Sequence, residues 1–316
     1  MRDHAVPMNS TSLDLEGLWV PLVTPFSVDD RVDLDALARI GQRVLREGAR
    51  GLVALGTTGE PAVLDDDEQR QIIDVCATVC RENDGLLMVG TGTNSTATTV
   101  AKTNALSDVP GVVAALVVSP YYTRPSAAGI VEHYRVVAGQ SRVPIVAYNV
   151  PYRTGRELGA AELLTIAAIE NVVGLKQAVG CFDTDTLEVL RSAPTGFHVF
   201  AGDDAFIAPT MLMGGAGAIT ASAHVCTGAF AALVRAGRQG DSRRARALAE
   251  MLLPIVVAGF AEPNPAMWKG ALHAIGEIAT PDLRAPMTAA SDTAIEALVA
   301  AIVATDTDQR FCSVRE

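Results

Sequence analysis

At 316 residues, with 49% apolar and 19% charged side chains, the chain has the composition of a soluble globular protein and the length of two ordinary domains or one large α/β barrel. Its formal charge of -11 argues against the cationic face that nucleic acid or an anionic membrane surface requires, so neither is an expected partner. No run of about 18 uncharged apolar residues and no leader-like apolar segment stands out, and a cytoplasmic location is expected.

Residues 1–15 lack hydrophobic periodicity and read as a flexible extension. From Gly17 onward, short apolar runs alternate with longer helical patterns. Leu18–Thr24 is followed by 33–47, Gly51–Leu55 by 65–82, Leu86–Val89 by 95–107 and Val112–Ser119 by 126–140. Pro144–Tyr148 is then followed by 159–168, Val172–Gln177 by 183–192, Phe197–Ala201 by 203–213 and Ala216–Ala221 by 225–238. The runs are rich in Val, Ile, Leu and Ala without polar alternation, which marks strands buried on both faces of a parallel sheet. Eight such units predict a closed (β/α)₈ barrel over 16–238, with an open doubly wound sheet as the competing architecture. Beyond it, RRARALAEMLLPIVVAGF, PAMWKGALHAIG and SDTAIEALVAAIVA predict added helices within 239–305, and 306–316 reads as a tail.

Five cysteines at irregular spacing indicate neither a disulfide framework nor a zinc ribbon, and they read as reduced; Cys76 and Cys80 belong to a helical core face. Of 25 basic residues only Lys102, Lys176 and Lys269 are lysine. Lys102 and Lys269 fall on helical patterns and are expected in solvent. Lys176 lies inside the apolar strand NVVGLKQA, where desolvation disfavours an ammonium. A neutral amine at the end of a barrel strand is a nucleophile toward carbonyls, which is Schiff-base chemistry; the alternative is a lysine paired with a buried carboxylate.

Active sites of parallel barrels gather at the carboxyl ends of the strands. Here those ends carry Thr24, Gly56-Thr57-Thr58-Gly59, Gly90-Thr91-Gly92, Tyr121-Tyr122, Tyr148-Asn149, Lys176-Gln177, Gly202-Asp203-Asp204 and Thr220. GTTG offers hydroxyls and a backbone turn suited to a carboxylate. GTGTNS lacks the full dinucleotide fingerprint, and no Gly-rich loop is followed by the Lys-Ser/Thr of a P-loop. Tyr122 and Tyr148 are able to relay protons or simply to plug the barrel mouth. Arg153, in PYRTG, is able to grip a carboxylate or to stand in solvent, and Asp203-Asp204 reads as a helix N-cap.

In their order and separation, GTTGE, SPYYTRP, YNVPYRTG, GLKQAVG and AGDDA resemble the 4-hydroxy-tetrahydrodipicolinate synthase (dihydrodipicolinate synthase) family of the N-acetylneuraminate lyase superfamily, over about residues 17–303. The resemblance implies a barrel with a C-terminal helical region, assembled as a dimer of dimers. It also implies a lyase of the class I aldolase type that joins pyruvate to L-aspartate 4-semialdehyde, in lysine and diaminopimelate biosynthesis, without metal or redox cofactor. By motif matching, Lys176 would form the Schiff base with pyruvate, and Tyr148, Thr57 and Tyr122 would relay protons, Tyr122 from a neighbouring subunit. Thr58, Arg153, Gly202 and Ile219 would complete the substrate-binding set, Arg153 holding the carboxylate of the aldehyde.

One departure is Gln177, where synthases of this family commonly carry an acidic residue. Strand alternation points it toward the helix layer, away from Lys176. A paralogous aldolase using pyruvate and another aldehyde is the alternative, although it usually lacks the arginine retained here as Arg153; an inactive ligand-binding barrel is a further one. The family's regulatory lysine cleft is matched by Tyr121 and Asn94, whereas Asp66, Gln69 and Thr98 replace its ring and acidic groups, so weak inhibition by lysine is expected.

Overall fold

The computed structural model describes residues 13–305. The expected tail at 306–316 and most of the expected extension lie outside the described residues. The extension's last residue, Leu15, is fully buried and accepts a hydrogen bond from Trp19 Nε1 at 2.8 Å, so the packed structure starts before the boundary drawn at 15.

The eight strands are β1 Gly17–Pro21, β2 Gly51–Ala54, β3 Leu86–Gly90, β4 Val112–Val118, β5 Ile145–Asn149, β6 Val172–Gln177, β7 His198–Ala201 and β8 Gly217–Ile219. Each pairs in parallel with the next, and β8 pairs back to β1, closing the barrel expected from the sequence. Side chains alternate between two apolar environments. Trp19, Val53, Met88, Leu116, Val146, Tyr148, Phe200 and Ile219 fill the barrel, while Val20, Leu52, Val89, Val117, Ala147, Val199 and Ala218 face the helices. The period of two is therefore present but invisible in hydropathy, because both faces are dry.

Helix starts are set by local chemistry. Asp33, Asp65, Ser95, Ser126, Asp183 and Asp241 each accept a hydrogen bond from a backbone N–H of the first turn. Asp65 and Glu68 form a reciprocal capping box. Two units depart from the expected pattern. Residues 203–213 divide into a 3₁₀ turn, Asp204–Phe206, and a short helix, Ile207–Leu212, and a further short helix, Pro151–Thr154, carries Arg153 at the end of β5.

The added helices are Ser242–Gly259, Ala266–Ala274 and Asp292–Thr305. Their apolar faces bury Leu248, Leu252, Ile255, Trp268, Leu272, Leu298 and Ile302. Lys269, expected in solvent, is fully buried: its Nζ meets Glu60 Oε1 at 2.9 Å and lies 4.0 Å from the centre of the Phe26 ring. An ammonium on the inner face of a helix survives only with such a partner. Lys102 is also not simply solvated, since its half-buried side chain donates to Gln69 Oε1 at 2.8 Å. Cys76, Cys80 and Cys181 are free thiols, but Cys226 is disulfide-bonded, which corrects the reading of all five as reduced. No helix among the described residues is long and apolar enough to cross a membrane.

Candidate active site

The carboxyl ends of the strands surround a chamber of about 30 Å³ lined by Thr57, Thr58, Tyr148, Arg153, Lys176, Gly202 and Ile219, together with Asp204, Phe260 and Asn264. It adjoins a larger cavity of about 450 Å³; Gly56, Thr57, Leu116, Tyr148, Arg153 and Asn264 line both. Seven of the eight site residues expected from the sequence thus meet at one place. The eighth, Tyr122, is 86% exposed with φ +69 and lines neither space.

Register explains why Lys176 points inward. It lies opposite Tyr148 on β5 and Phe200 on β7, and both of those rings belong to the barrel interior. Its Nζ sits 4.5 Å from the centre of the Tyr148 ring and makes no hydrogen bond or salt bridge to any described residue. The buried, carboxylate-paired lysine that was the alternative for Lys176 is found instead at Lys269. Burial pulls the Lys176 ammonium down to about 8; Asp204 and Asp203 oppose that shift and Arg153 adds to it.

Tyr148 is buried at the end of β5, and burial pushes its phenol up to about 12, against the charge of Arg153 and a hydrogen bond with Thr57. It is therefore protonated at neutral pH and placed between the amine and a hydroxyl. Thr57 and Thr58 occupy a 3₁₀ turn, Thr57–Gly59, that leads into Glu60 with a left-handed φ of 53°. Thr24 Oγ1 donates to Gly59 O at 2.7 Å, and Asn264 Nδ2 donates to Thr58 Oγ1 at 3.1 Å, so the turn is held from both sides. Arg153 is exposed on the short helix after β5 and stacks 5.4 Å from the centre of the Tyr152 ring, with its guanidinium on the rim. Gly202 is required for close approach: a Cβ there would stand 2.8 Å from Ala178 Cβ and from Gln177 O.

Asp203 and Asp204 are not the N-cap expected of them. Asp203 Oδ2 accepts from Gly180 N at 2.7 Å and Asp204 Oδ2 from Ser222 N at 2.7 Å, so each joins two neighbouring strand ends. Burial raises the Asp204 carboxyl to about 6, moderated by its bonds to Ser222. Gln177 lies outside the chamber lining. Its Oε1 accepts from Asn149 Nδ2 at 3.0 Å and its Nε2 donates to Thr186 Oγ1 at 3.2 Å, toward the helix layer as strand alternation requires. Asp204, Phe260 and Asn264 were not foreseen as site residues. The Asp pair at a strand end was visible but assigned to capping, and Asn264 carries only the weak signal of an Asn-Pro step between helices. Among the described residues, no group of three His, Cys, Asp or Glu side chains is placed to hold a metal ion.

The arrangement brings together a desolvated amine, a protonated phenol in contact with a hydroxyl, a threonine turn suited to a carboxylate and a guanidinium at the rim. Comparison with known proteins finds the same family. The family model described as "Dihydrodipicolinate synthetase family" matches residues 14–305. The 4-hydroxy-tetrahydrodipicolinate synthase of Moorella thermoacetica is 37% identical over 281 residues, covering 89% of this chain and 95% of that protein. That of Pseudomonas aeruginosa is 38% identical over 276 residues, covering 87% and 92%. The solved structure of the chloride-inhibited dihydrodipicolinate synthase of Acinetobacter baumannii, complexed with pyruvate, is similar with a TM-score of 0.88 at 32% identity, covering 92% of this chain and 98% of that one.

Proposed function

The chain belongs to the dihydrodipicolinate synthetase family and is a lyase of the class I aldolase type; from that premise we propose that it joins pyruvate to L-aspartate 4-semialdehyde, forming 4-hydroxy-tetrahydrodipicolinate for lysine and diaminopimelate biosynthesis. The observation that carries this reading is the buried Lys176 amine, bonded to no carboxylate among the described residues and set against the Tyr148 ring.

The neutral Lys176 amine adds to the ketone carbon of pyruvate and water leaves, giving an imine. The carboxylate of pyruvate lies in the Thr57–Thr58 turn, beside Gly202 and Ile219. Loss of a methyl proton converts the imine to an enamine, whose carbon attacks the aldehyde carbon while the aldehyde oxygen takes up a proton. The amino group of the second substrate then displaces Lys176 from the imine carbon, closing the ring and freeing the enzyme. Tyr148 and Thr57 pass the protons of these steps, and no redox group enters them. Arg153 holds the carboxylate of the semialdehyde in a two-pronged contact. Tyr122, held outward from its own barrel, completes the relay of a neighbouring subunit in a homotetramer built as a dimer of dimers. The reaction is assigned to the cytoplasm, as the biosynthetic relatives suggest.

A paralogous aldolase using another aldehyde rests on Gln177 alone, and that side chain is occupied by Asn149 and Thr186 outside the chamber. Incubation with pyruvate and borohydride, followed by peptide mass mapping, should place a reduced pyruvyl group on Lys176. An adduct at Lys102 or Lys269, or none, would refute the imine. A panel of aldehydes assayed by pyruvate consumption tests the second substrate.

A further inference from the structure

We propose that Asn264 is a substrate-specificity residue whose Oδ1 accepts a hydrogen bond from the ammonium group of the aldehyde. The inference deepens the reading above and rests on it for the identity of the second substrate. Asn264 stands between the added helices, just before Ala266–Ala274, and lines both the chamber around Lys176 and the larger cavity at Arg153. Its Nδ2 donates to Thr58 Oγ1, while its Oδ1 is buried and without a hydrogen-bond partner among the described residues. Buried acceptors are nearly always satisfied, and an unsatisfied one on a residue that lines a substrate space asks for a donor from the ligand.

The orientation of the amide follows from the chemistry of its neighbour. Thr58 must spend its hydroxyl proton on a substrate carboxylate, so it accepts from Asn264, and this leaves Oδ1 as the end of the amide without a partner. Of the two substrates, pyruvate carries no hydrogen-bond donor, whereas aspartate semialdehyde carries its ammonium. That group is attached to the same carbon as the carboxylate assigned to Arg153, and Arg153 and Asn264 line the same two spaces. An amide also suits the place better than a carboxylate. Asp204 and Asp203 already oppose the lowering of the Lys176 pKa, and a third negative charge would hold more of that amine protonated.

The experiment compares aspartate semialdehyde with succinate semialdehyde, which has the same carbon chain without the amino group. For wild type, Asn264→Ala and Asn264→Asp, the KM for the first and the Ki of the second as its competitor are measured at saturating pyruvate and the KM for pyruvate at saturating aspartate semialdehyde, with borohydride trapping at Lys176 as the check that each variant is folded. Asn264→Ala should raise the KM for aspartate semialdehyde about tenfold or more, as expected for a hydrogen bond to a charged group, and leave the succinate semialdehyde Ki within about threefold. Asn264→Asp keeps an acceptor and should preserve the preference for the amino aldehyde, so the comparison stands even if the alanine variant traps no pyruvate. Equal weakening of both aldehydes, no effect on either, or a rise confined to the KM for pyruvate would show that Asn264 only supports Thr58. A wild-type enzyme that consumes another aldehyde but not aspartate semialdehyde overturns the underlying assignment of substrate, and is recognised before any variant is compared.

Discussion

The Lys176 amine should titrate far below an ordinary lysine, and imine formation should follow it. With the group pulled down to about 8 by burial, about one molecule in ten carries the free amine at pH 7, against about one in 2,500 for a lysine at ~10.4. The net shift is thus worth about a 200-fold gain in free amine at pH 7. The initial rate of borohydride-trapped imine, measured from pH 6 to pH 10 at fixed pyruvate, should rise about tenfold per unit and level off above about 8. Replacing Asp204 sharpens the test. Its carboxylate is the larger of the two negative charges opposing the shift, so Asp204→Asn, which retains an acceptor for Ser222 N, should move the plateau to lower pH. A rate that keeps climbing to pH 10 would refute the desolvated amine, and a plateau displaced upward in Asp204→Asn would refute the electrostatic role given to Asp204.

Lys269→Met leaves Glu60 buried without its cation and should cost about 3–5 kcal/mol in denaturant titration, most of it recovered in the Glu60→Gln, Lys269→Met double variant; a loss typical of a surface lysine would contradict the buried pair. Arg153→Ala should raise the KM for the aldehyde while pyruvate trapping at Lys176 continues, and unchanged kinetics would favour the paralogous aldolase. Sedimentation should show at least a dimer, with Tyr122→Phe slowing turnover; a fully active, concentration-independent monomer would remove the shared site. Lysine should inhibit weakly, because Lys102 lines the cavity that holds Tyr121 and Gln69 and an incoming ammonium meets a like charge there; submillimolar inhibition would overturn this.

Much of the site was legible because its residues break local rules. Lys176 interrupts an apolar strand, two adjacent threonines fill a Gly-bounded turn, and Tyr148 and Arg153 flank the proline that opens a short helix just after a strand. Asn264 breaks no rule of its own segment, and its place in the chamber lining beside Thr58, 206 positions away in sequence, is visible only in the folded chain. Asp203 and Asp204 show the converse error: an acidic pair before a helix fits local capping, yet their oxygens bind backbone N–H groups of other loops.

Local chemistry was enough to determine the order of the eight strand–helix units, most helix starts and the apolar character of every strand, since caps, turns and strand burial are written within a few residues. Which strand face turns inward, and so whether Lys176 or Gln177 lines the chamber, depends on register across neighbouring strands when both faces are equally apolar. Lys176 and Lys269 present the same contrast. Each is a lone lysine in an apolar segment, and only the packing of the C-terminal helices against the threonine turn decides that Lys269 meets Glu60 while Lys176 faces a chamber and is bonded to no carboxylate among the described residues. A buried charge is defined by its partner, and that partner is brought to it by the tertiary fold.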